Sequence, residues 1–90
     1  NYPQNKHQIK VFPNPAAQEV NIQFDKIPEG ATEIILFDNN GKKVLSKICT
    51  PLLEMMNVLN IPLQGMAEGV YTMHISGRNI NFSEKIIIKK

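Results

Sequence analysis

The sequence predicts an all-β protein, built as a single antiparallel sandwich of about seven short strands. Three observations predict this fold. Apolar and polar residues alternate with a period of two, turn signals recur roughly every 8–12 residues, and an Asn-Gly pair joins two apolar runs. This spacing is typical of antiparallel sandwiches, in which each strand turns one face toward the core.

The first three strands are expected at residues 8–12, 19–25 and 32–38. The first ends at the Pro-Asn-Pro sequence of residues 13–15, because proline fixes φ and has no N–H to donate. In the second strand, Val20, Ile22 and Phe24 alternate with polar residues, which predicts one buried face and one solvated face. The third strand, TEIILFD, is an apolar run, and we expect both of its faces to be buried.

A hairpin is predicted where the third strand ends. The sequence Asn39-Asn40-Gly41-Lys42 lies between apolar runs, and Asn-Gly in that position is the strongest short-range hairpin signal. We expect Gly41 to supply the positive φ of the turn. The return strand, residues 43–49, would place Val44 and Ile48 on one face.

The second half of the chain predicts three further strands. Residues 55–63 place Leu59, Ile61 and Leu63 on one side. Pro62 lacks an N–H, so this strand should lie at a sheet edge or end near Pro62. A loop at residues 64–69 precedes the last two strands, at residues 70–76 and 82–89, and a turn at residues 77–79 joins them. A helix could form only at residues 51–58, and it would be short. Together the elements predict one Ig-like β-sandwich.

Length and composition limit the function classes. A chain of 90 residues with 42% hydrophobic and 20% charged residues corresponds to one small soluble domain, without room for a deep catalytic cleft. The net charge of +2 is too small and too dispersed for nucleic-acid binding. No apolar run reaches the ~18–20 residues of a transmembrane helix. The first ten residues lack a signal-peptide core, so the chain is either an intracellular mini-protein or a domain cut from a longer protein. We expect the second, with residues 1–7 a linker and residues 8–90 the domain.

The candidate catalytic groups have no partners that the sequence identifies. His7 lies in the predicted linker. His74 is expected on the same strand face as Thr72, opposite Tyr71, Met73 and Ile75. Cys49 lacks a neighbouring histidine or an electropositive setting, which a nucleophilic thiol requires. We therefore predict no enzymatic activity. A small enzyme built around Cys49 or His74 is the functional hypothesis that the sequence supports least.

No metal site or cofactor is predicted either. A single cysteine excludes an internal disulfide framework and a multi-cysteine zinc site. Asp38 precedes the Asn-Asn-Gly sequence, and its turn chemistry explains that position without a calcium loop.

The lysine-rich end of the chain has two interpretations. Lys85, Lys89 and Lys90 flank three consecutive isoleucines. The charges could simply discourage edge-to-edge aggregation of an apolar strand. Alternatively, another protein recognises this basic strand, and periodicity alone leaves both interpretations open.

Motifs along the chain resemble those of one known family. Phe12-Pro13-Asn14-Pro15-Ala16 followed by Val20-Asn21-Ile22 resembles the opening of type A C-terminal sorting domains of the type IX (Por) secretion system. Three later stretches are also similar to the family. In the middle, Ile35-Leu36-Phe37-Asp38 is followed by Gly41-Lys42-Lys43-Val44. The next stretch contains Ile61-x-Leu63, Met66 and Gly69-Val70-Tyr71, and the last is the terminal residues 84–90. The resemblance extends over residues 8–90. Pro62 departs from it where the family usually has an acidic residue, and Met66 replaces the usual leucine.

The resemblance implies a secretion address rather than an enzyme. Such domains lie at the C-terminus of cargo that a signal peptide first exports across the inner membrane. The type IX translocon then carries the cargo across the outer membrane, and a sortase-like protease usually removes the domain. The implied partners are the translocon, the protease and an upstream cargo domain. The implied location in a Gram-negative bacterium is the periplasm in transit, then the cell surface or the extracellular space.

Two sets of residues follow from this resemblance. The residues expected to be recognised by the translocon or the protease are Lys85, Ile86, Ile87, Ile88, Lys89 and Lys90. The motif residues explained as determinants of the fold are Pro13, Asn14, Pro15, Gly41, Lys42, Gly69 and Tyr71. The alternative function is a non-catalytic Ig-like module that binds carbohydrate or protein, since a sandwich fold hosts many roles. The lack of tryptophan argues against sugar binding.

Overall fold

Seven strands form two antiparallel sheets. The computed structural model describes residues 9–25, 28–50, 58–78 and 80–90. The strands are β1 (Ile9–Phe12), β2 (Glu19–Phe24), β3 (Thr32–Phe37), β4 (Lys43–Cys49), β5 (Val58–Pro62), β6 (Gly69–Ser76) and β7 (Asn81–Ile88). A three-stranded sheet has the order β1-β2-β5, and a four-stranded sheet has the order β4-β3-β6-β7. The predicted all-β sandwich is confirmed.

One hydrophobic core lies between the two sheets. Residues with almost no exposure come from both sheets: Val20, Ile22, Ile61, Ile34, Leu36, Met73, Ile75, Ile86 and Ile88. They belong to a single continuous cluster, so each sheet covers the apolar face of the other. In the part of the chain that the structure describes, no helix is long and apolar enough to span a membrane.

The alternation predicted for β2, β5 and β6 is confirmed. In β5, Leu59 and Ile61 are buried, and Leu63 directly after the strand is fully buried. In β6, Tyr71, Met73 and Ile75 are buried. The intervening residues of these strands point away from the core, as a period of two requires.

The prediction that β3 is buried on both faces is wrong. Ile34 and Leu36 are fully buried, whereas Glu33, Ile35 and Phe37 are only half-buried. β3 lies inside the four-stranded sheet, between β4 and β6, but only one face of that sheet packs on the other sheet. An apolar run therefore does not establish burial on both faces, because the second face depends on what packs against the sheet.

The position of Pro62 agrees with the prediction of an edge strand. β5 lies at the edge of the three-stranded sheet and ends at Pro62. The Leu63 N–H donates to the Gln18 carbonyl at 3.0 Å, so the backbone at Leu63 points toward the β2 side. The backbone nitrogen of Pro62 therefore faces the open edge of the sheet, where the missing N–H removes no hydrogen bond between strands.

The hairpin between β3 and β4 closes around Asp38. Its carboxylate Oδ1 accepts from the backbone N–H groups of Asn40 and Lys42, both at 2.9 Å. The Gly41 N–H donates to the Asp38 carbonyl at 3.0 Å, and Gly41 has a φ of +83°. The predicted turn and its positive-φ glycine are both confirmed.

Several predicted features lie outside the described residues. They are the linker at residues 1–7, with His7, and nearly all of the stretch that could form a helix, residues 51–57. Val58, the last residue of that stretch, belongs to β5.

Replacement of Gly41 by alanine should destabilise the domain by about 1 kcal/mol, because a Cβ is strained at positive φ even where space is open. Gly30→Ala is the matched control, since Gly30 also has open space around it and no φ in the left-handed range. Urea unfolding of both variants measures the difference. Equal stability of the two variants would contradict a conformational role for Gly41.

Candidate recognition surface at the C-terminal strand

β7 is an edge strand of the four-stranded sheet, and its partner β6 fixes its register. The pairing runs without interruption from Gly69 opposite Ile88 to Ser76 opposite Asn81. Tyr71 lies opposite Ile86 in this ladder and is buried on the same face of the sheet. The residues of β7 therefore alternate between the core side and the solvent side of the sheet.

The six residues predicted for recognition divide between the core and the surface. Ile86 is 0% exposed and Ile88 is 1% exposed, so their side chains belong to the core. Ile87 is 44% exposed. The residues of this set that present side chains to solvent are Lys85, Ile87, Lys89 and Lys90.

A short segment after β1 covers the outer edge of β7. We call residues 14–16 the edge cap. The Asn14 side chain donates from Nδ2 to the Lys85 carbonyl at 3.1 Å, and its Oδ1 accepts from the Ile87 N–H at 3.0 Å. The Ala16 N–H donates to the Ile87 carbonyl, and the Ala16 carbonyl accepts from the Lys89 N–H, both at 2.8 Å. Four hydrogen bonds thus occupy this edge between Lys85 and Lys89.

The Asn14 side chain takes the place of a peptide group. It offers one donor and one acceptor to β7, as the backbone of a neighbouring strand would. Its orientation follows from chemistry, because the Ile87 N–H can only donate and must face the amide oxygen. Pro13 and Pro15, each after a cis peptide bond, flank Asn14 and bring no backbone N–H of their own.

The end of β7 is held by the loop that precedes β6. The Lys90 N–H donates to the Glu68 carboxylate at 2.8 Å, and the Lys90 Nζ donates to the Leu63 carbonyl at 3.3 Å. The Tyr71 hydroxyl donates to the Ala67 carbonyl at 2.6 Å, which closes the same loop. The hydroxyl of the buried Tyr71 side chain therefore has a hydrogen-bond partner, and Gly69 begins the strand that follows the loop.

An open cavity of about 570 Å³ lies beside Lys90. Its lining includes Gln18 and Glu19 from the start of β2, and Pro62 and Gln64 from the end of β5. Lys90 is therefore accessible from the side of the three-stranded sheet, in addition to its exposure at the end of β7.

The candidate catalytic groups are not brought together. His74 contacts the Asn81 Oδ1 through Nε2 at 3.1 Å on the outward face of the sheet, whereas Cys49 is fully buried. Among the described residues, no group of three or more histidine, cysteine or acidic side chains is placed to hold a metal ion. Lys42 contributes backbone groups to the hairpin, where its carbonyl accepts from the Asp38 N–H at 2.8 Å.

A family model described as "Secretion system C-terminal sorting domain" matches residues 10–89. The chain belongs to this family. The match extends over all seven strands apart from Ile9, and it includes the edge cap and the exposed lysines Lys85 and Lys89. A search of curated proteins finds no significant match.

Membership in the family defines the general role of this sorting domain. It is a C-terminal sorting signal of type IX secretion, which implies interaction with the type IX machinery and export toward the cell surface or the extracellular space. The resemblance predicted from the sequence motifs is confirmed.

The partner of Asn14 was not evident from the sequence. The two flanking prolines account for the end of β1, which is a local effect, but Asn14 binds residues 71 and 73 positions further along the chain. The only signal was the Pro-Asn-Pro spacing, which presents one amide side chain where two neighbouring residues lack an N–H.

Substitution of Asn14 by alanine should lower the free energy of unfolding by about 1–2 kcal/mol, because two edge groups of β7 lose their partner but stay accessible to water. Asn14→Asp keeps the acceptor for Ile87 and loses the donor to Lys85, so it should also destabilise. Gln23→Ala, an exposed β2 residue, is the control and should change stability by no more than about 0.5 kcal/mol. Chemical denaturation measures all three, and equal stability of Asn14→Ala and Gln23→Ala would contradict the role of the edge cap.

Proposed function

We propose that this domain directs an upstream cargo protein through the type IX outer-membrane translocon, and that it acts as an address without catalysis. The observation that carries this proposal is the family match over residues 10–89. The end of the chain carries the recognition: Lys85, Ile87, Lys89 and Lys90 present their side chains, while Ile86 and Ile88 hold the strand in the core.

Three features support recognition at this strand. Both edges of β7 are hydrogen-bonded from Lys85 onward, by β6 on one side and by the edge cap on the other. The backbone that carries the exposed side chains is therefore held in place before any partner binds, which lowers the entropy that binding costs. Three of the four exposed residues are lysines, which gives the surface a charge that a partner can recognise.

The fate of the cargo is the second part of the proposal. A sortase-like protease removes the domain on its N-terminal side, near the predicted linker at residues 1–7, and the cargo is released or attached at the cell surface. The route runs through the periplasm of a Gram-negative bacterium. Cleavage on that side leaves β7 and the edge cap intact, since both lie within residues 9–90.

A fusion tests the address directly. These 90 residues are placed behind a signal peptide and a fluorescent reporter, in a host with an intact type IX system and in an isogenic strain without the translocon. We expect reporter at the surface or in the medium of the intact strain alone. Retention of a folded reporter fusion in the periplasm of both strains would contradict the proposal and favour the non-catalytic binding module.

Recognition by the exposed lysines is tested with Lys85→Ala combined with Lys89→Ala. Both side chains are exposed, and β7 uses only their backbone groups for the edge cap. Their loss should leave the melting temperature within a few degrees while export of the fusion falls. Deletion of residues 86–90 is a poorer test, because it removes the core side chains of Ile86 and Ile88 together with Lys89 and Lys90.

The matched control is Lys10→Ala combined with Arg78→Ala, which removes the same charge from exposed positions outside the terminal residues 85–90. Normal export of the Lys85 and Lys89 variant would contradict recognition by these lysines. Equal loss of export in both double variants would point to net charge instead.

A further inference from the structure

The register of the four-stranded sheet places two lysines at opposite ends of one row. Phe37 pairs with Lys43 on β4 and with Thr72 on β6, and Thr72 pairs with Lys85 on β7. Four neighbouring strands span three spacings, so the Cα atoms of Lys43 and Lys85 are roughly 14 Å apart. Lysines that are distant in sequence thus lie on either side of Phe37 and Thr72.

This row is on the outward face of the sheet. Thr72 alternates with buried Tyr71 and Met73, and Lys85 lies between inward-facing neighbours on β7. Phe37 alternates with fully buried Leu36 and is itself half-buried. The row therefore presents Phe37 and Thr72 at its centre and a charged residue at each end.

Exposed aliphatic side chains continue the surface into the next row. Val70 and Ile87 pair with each other and are 41% and 44% exposed. Val44, the extra residue of the bulge beside Lys43, is 38% exposed. Apolar side chains this exposed on one sheet face, bordered by charges, have the anatomy of an interface with an apolar centre and a polar rim.

We propose that the outer corner of the four-stranded sheet, Phe37, Lys43, Val70, Thr72, Lys85 and Ile87, is a docking surface for an acidic protein surface with an apolar centre. This inference rests on the proposed function and deepens it. The partner is a protein of the export machinery, and it contacts the β3–β4 hairpin as well as the terminal strand.

The charges near the corner argue for an acidic partner. Every charged residue of the corner is a lysine, and Lys42 and Lys89 lie directly beside it. Three carboxylates lie close to the corner in sequence. Asp38 accepts two backbone N–H groups inside the hairpin, and Glu68 accepts from the Lys90 N–H. Glu84 precedes Lys85 on β7 and therefore lies on the opposite face of the sheet. Glu33 lies at the opposite end of β3, four residues from Phe37 and so about 13 Å along the strand. A partner with carboxylates around an apolar patch complements this arrangement.

An anionic membrane surface fits the corner less well than a protein. Each lysine contributes only about 1 kcal/mol to attraction by anionic lipids, so a few lysines do not hold a domain on a membrane. The corner has no protruding loop rich in apolar residues among those described. Its apolar residues lie on a β-sheet face between fixed strands.

Lys43→Glu is the decisive variant, because Lys43 lies outside the terminal strand and no side-chain hydrogen bond of the described residues involves it. We expect export of the reporter fusion to fall about tenfold, as a loss of roughly 1.4 kcal/mol in docking would produce. Lys43→Arg should export normally. Lys10→Glu, an equal charge reversal on the other sheet, should stay within about twofold of the unaltered domain. Thermal melts verify that all variants fold.

Each result separates the inference from the proposed function. Normal export of Lys43→Glu, together with impaired export of the Lys85 and Lys89 variant, would contradict docking at the corner. Recognition would then be confined to the terminal strand. Equal losses for Lys43→Glu and Lys10→Glu would overturn it in favour of net charge. Failure of the unaltered domain to export its reporter would instead overturn the proposed function. If the purified domain binds phosphatidylglycerol vesicles and Lys43→Glu abolishes that binding, the partner is a lipid and the inference of a protein partner is wrong.

Discussion

The structure depends on covering the outer edge of its last strand. An uncovered edge strand with apolar residues offers unpaired backbone groups to other chains. Here the edge cap at residues 14–16 occupies that edge with four hydrogen bonds, and the Asn14 side chain serves as a peptide group. Because the edge cap connects β1 to β2 of the other sheet, it also joins the two sheets outside their common core. Ala16, which is fully buried, brings the backbone close to β7 at this point.

The fixed position of β7 divides a three-isoleucine run between the core and the surface. Ile86 and Ile88 enter the core beside Tyr71, while Ile87 remains 44% exposed between two lysines. The same alternation aligns Lys85 with Thr72 and Phe37 on the outward face. In the proposed function, stability and recognition use alternate residues of one strand, so a substitution can affect one without the other.

The described strands at the other sheet edges carry different features that disfavour pairing with a further chain. Pro62 ends β5 and removes a donor from its open edge. On β4, Lys47 pairs with fully buried Ile34 and so brings a charge to the inward side of an edge strand. β1 is only four residues long. Lys47 thus protects a sheet edge, whereas Lys85 and Lys89 on the outward face of β7 belong to the proposed recognition surface.

The sequence by itself determined the strands, the hairpin at Gly41, the buried residues of β2, β5 and β6, and the family. These depend on local periodicity, on turn chemistry or on short motifs, all of which can be found within a few neighbouring residues. Only the tertiary structure decided which strands share a sheet, and with it that β3 has one half-exposed face. It also decided that Asn14 binds β7 and that Lys43 and Lys85 share one row. Contacts between residues so far apart in the chain depend on sheet order and register, and the periodicity within a single strand contains no information about its neighbours.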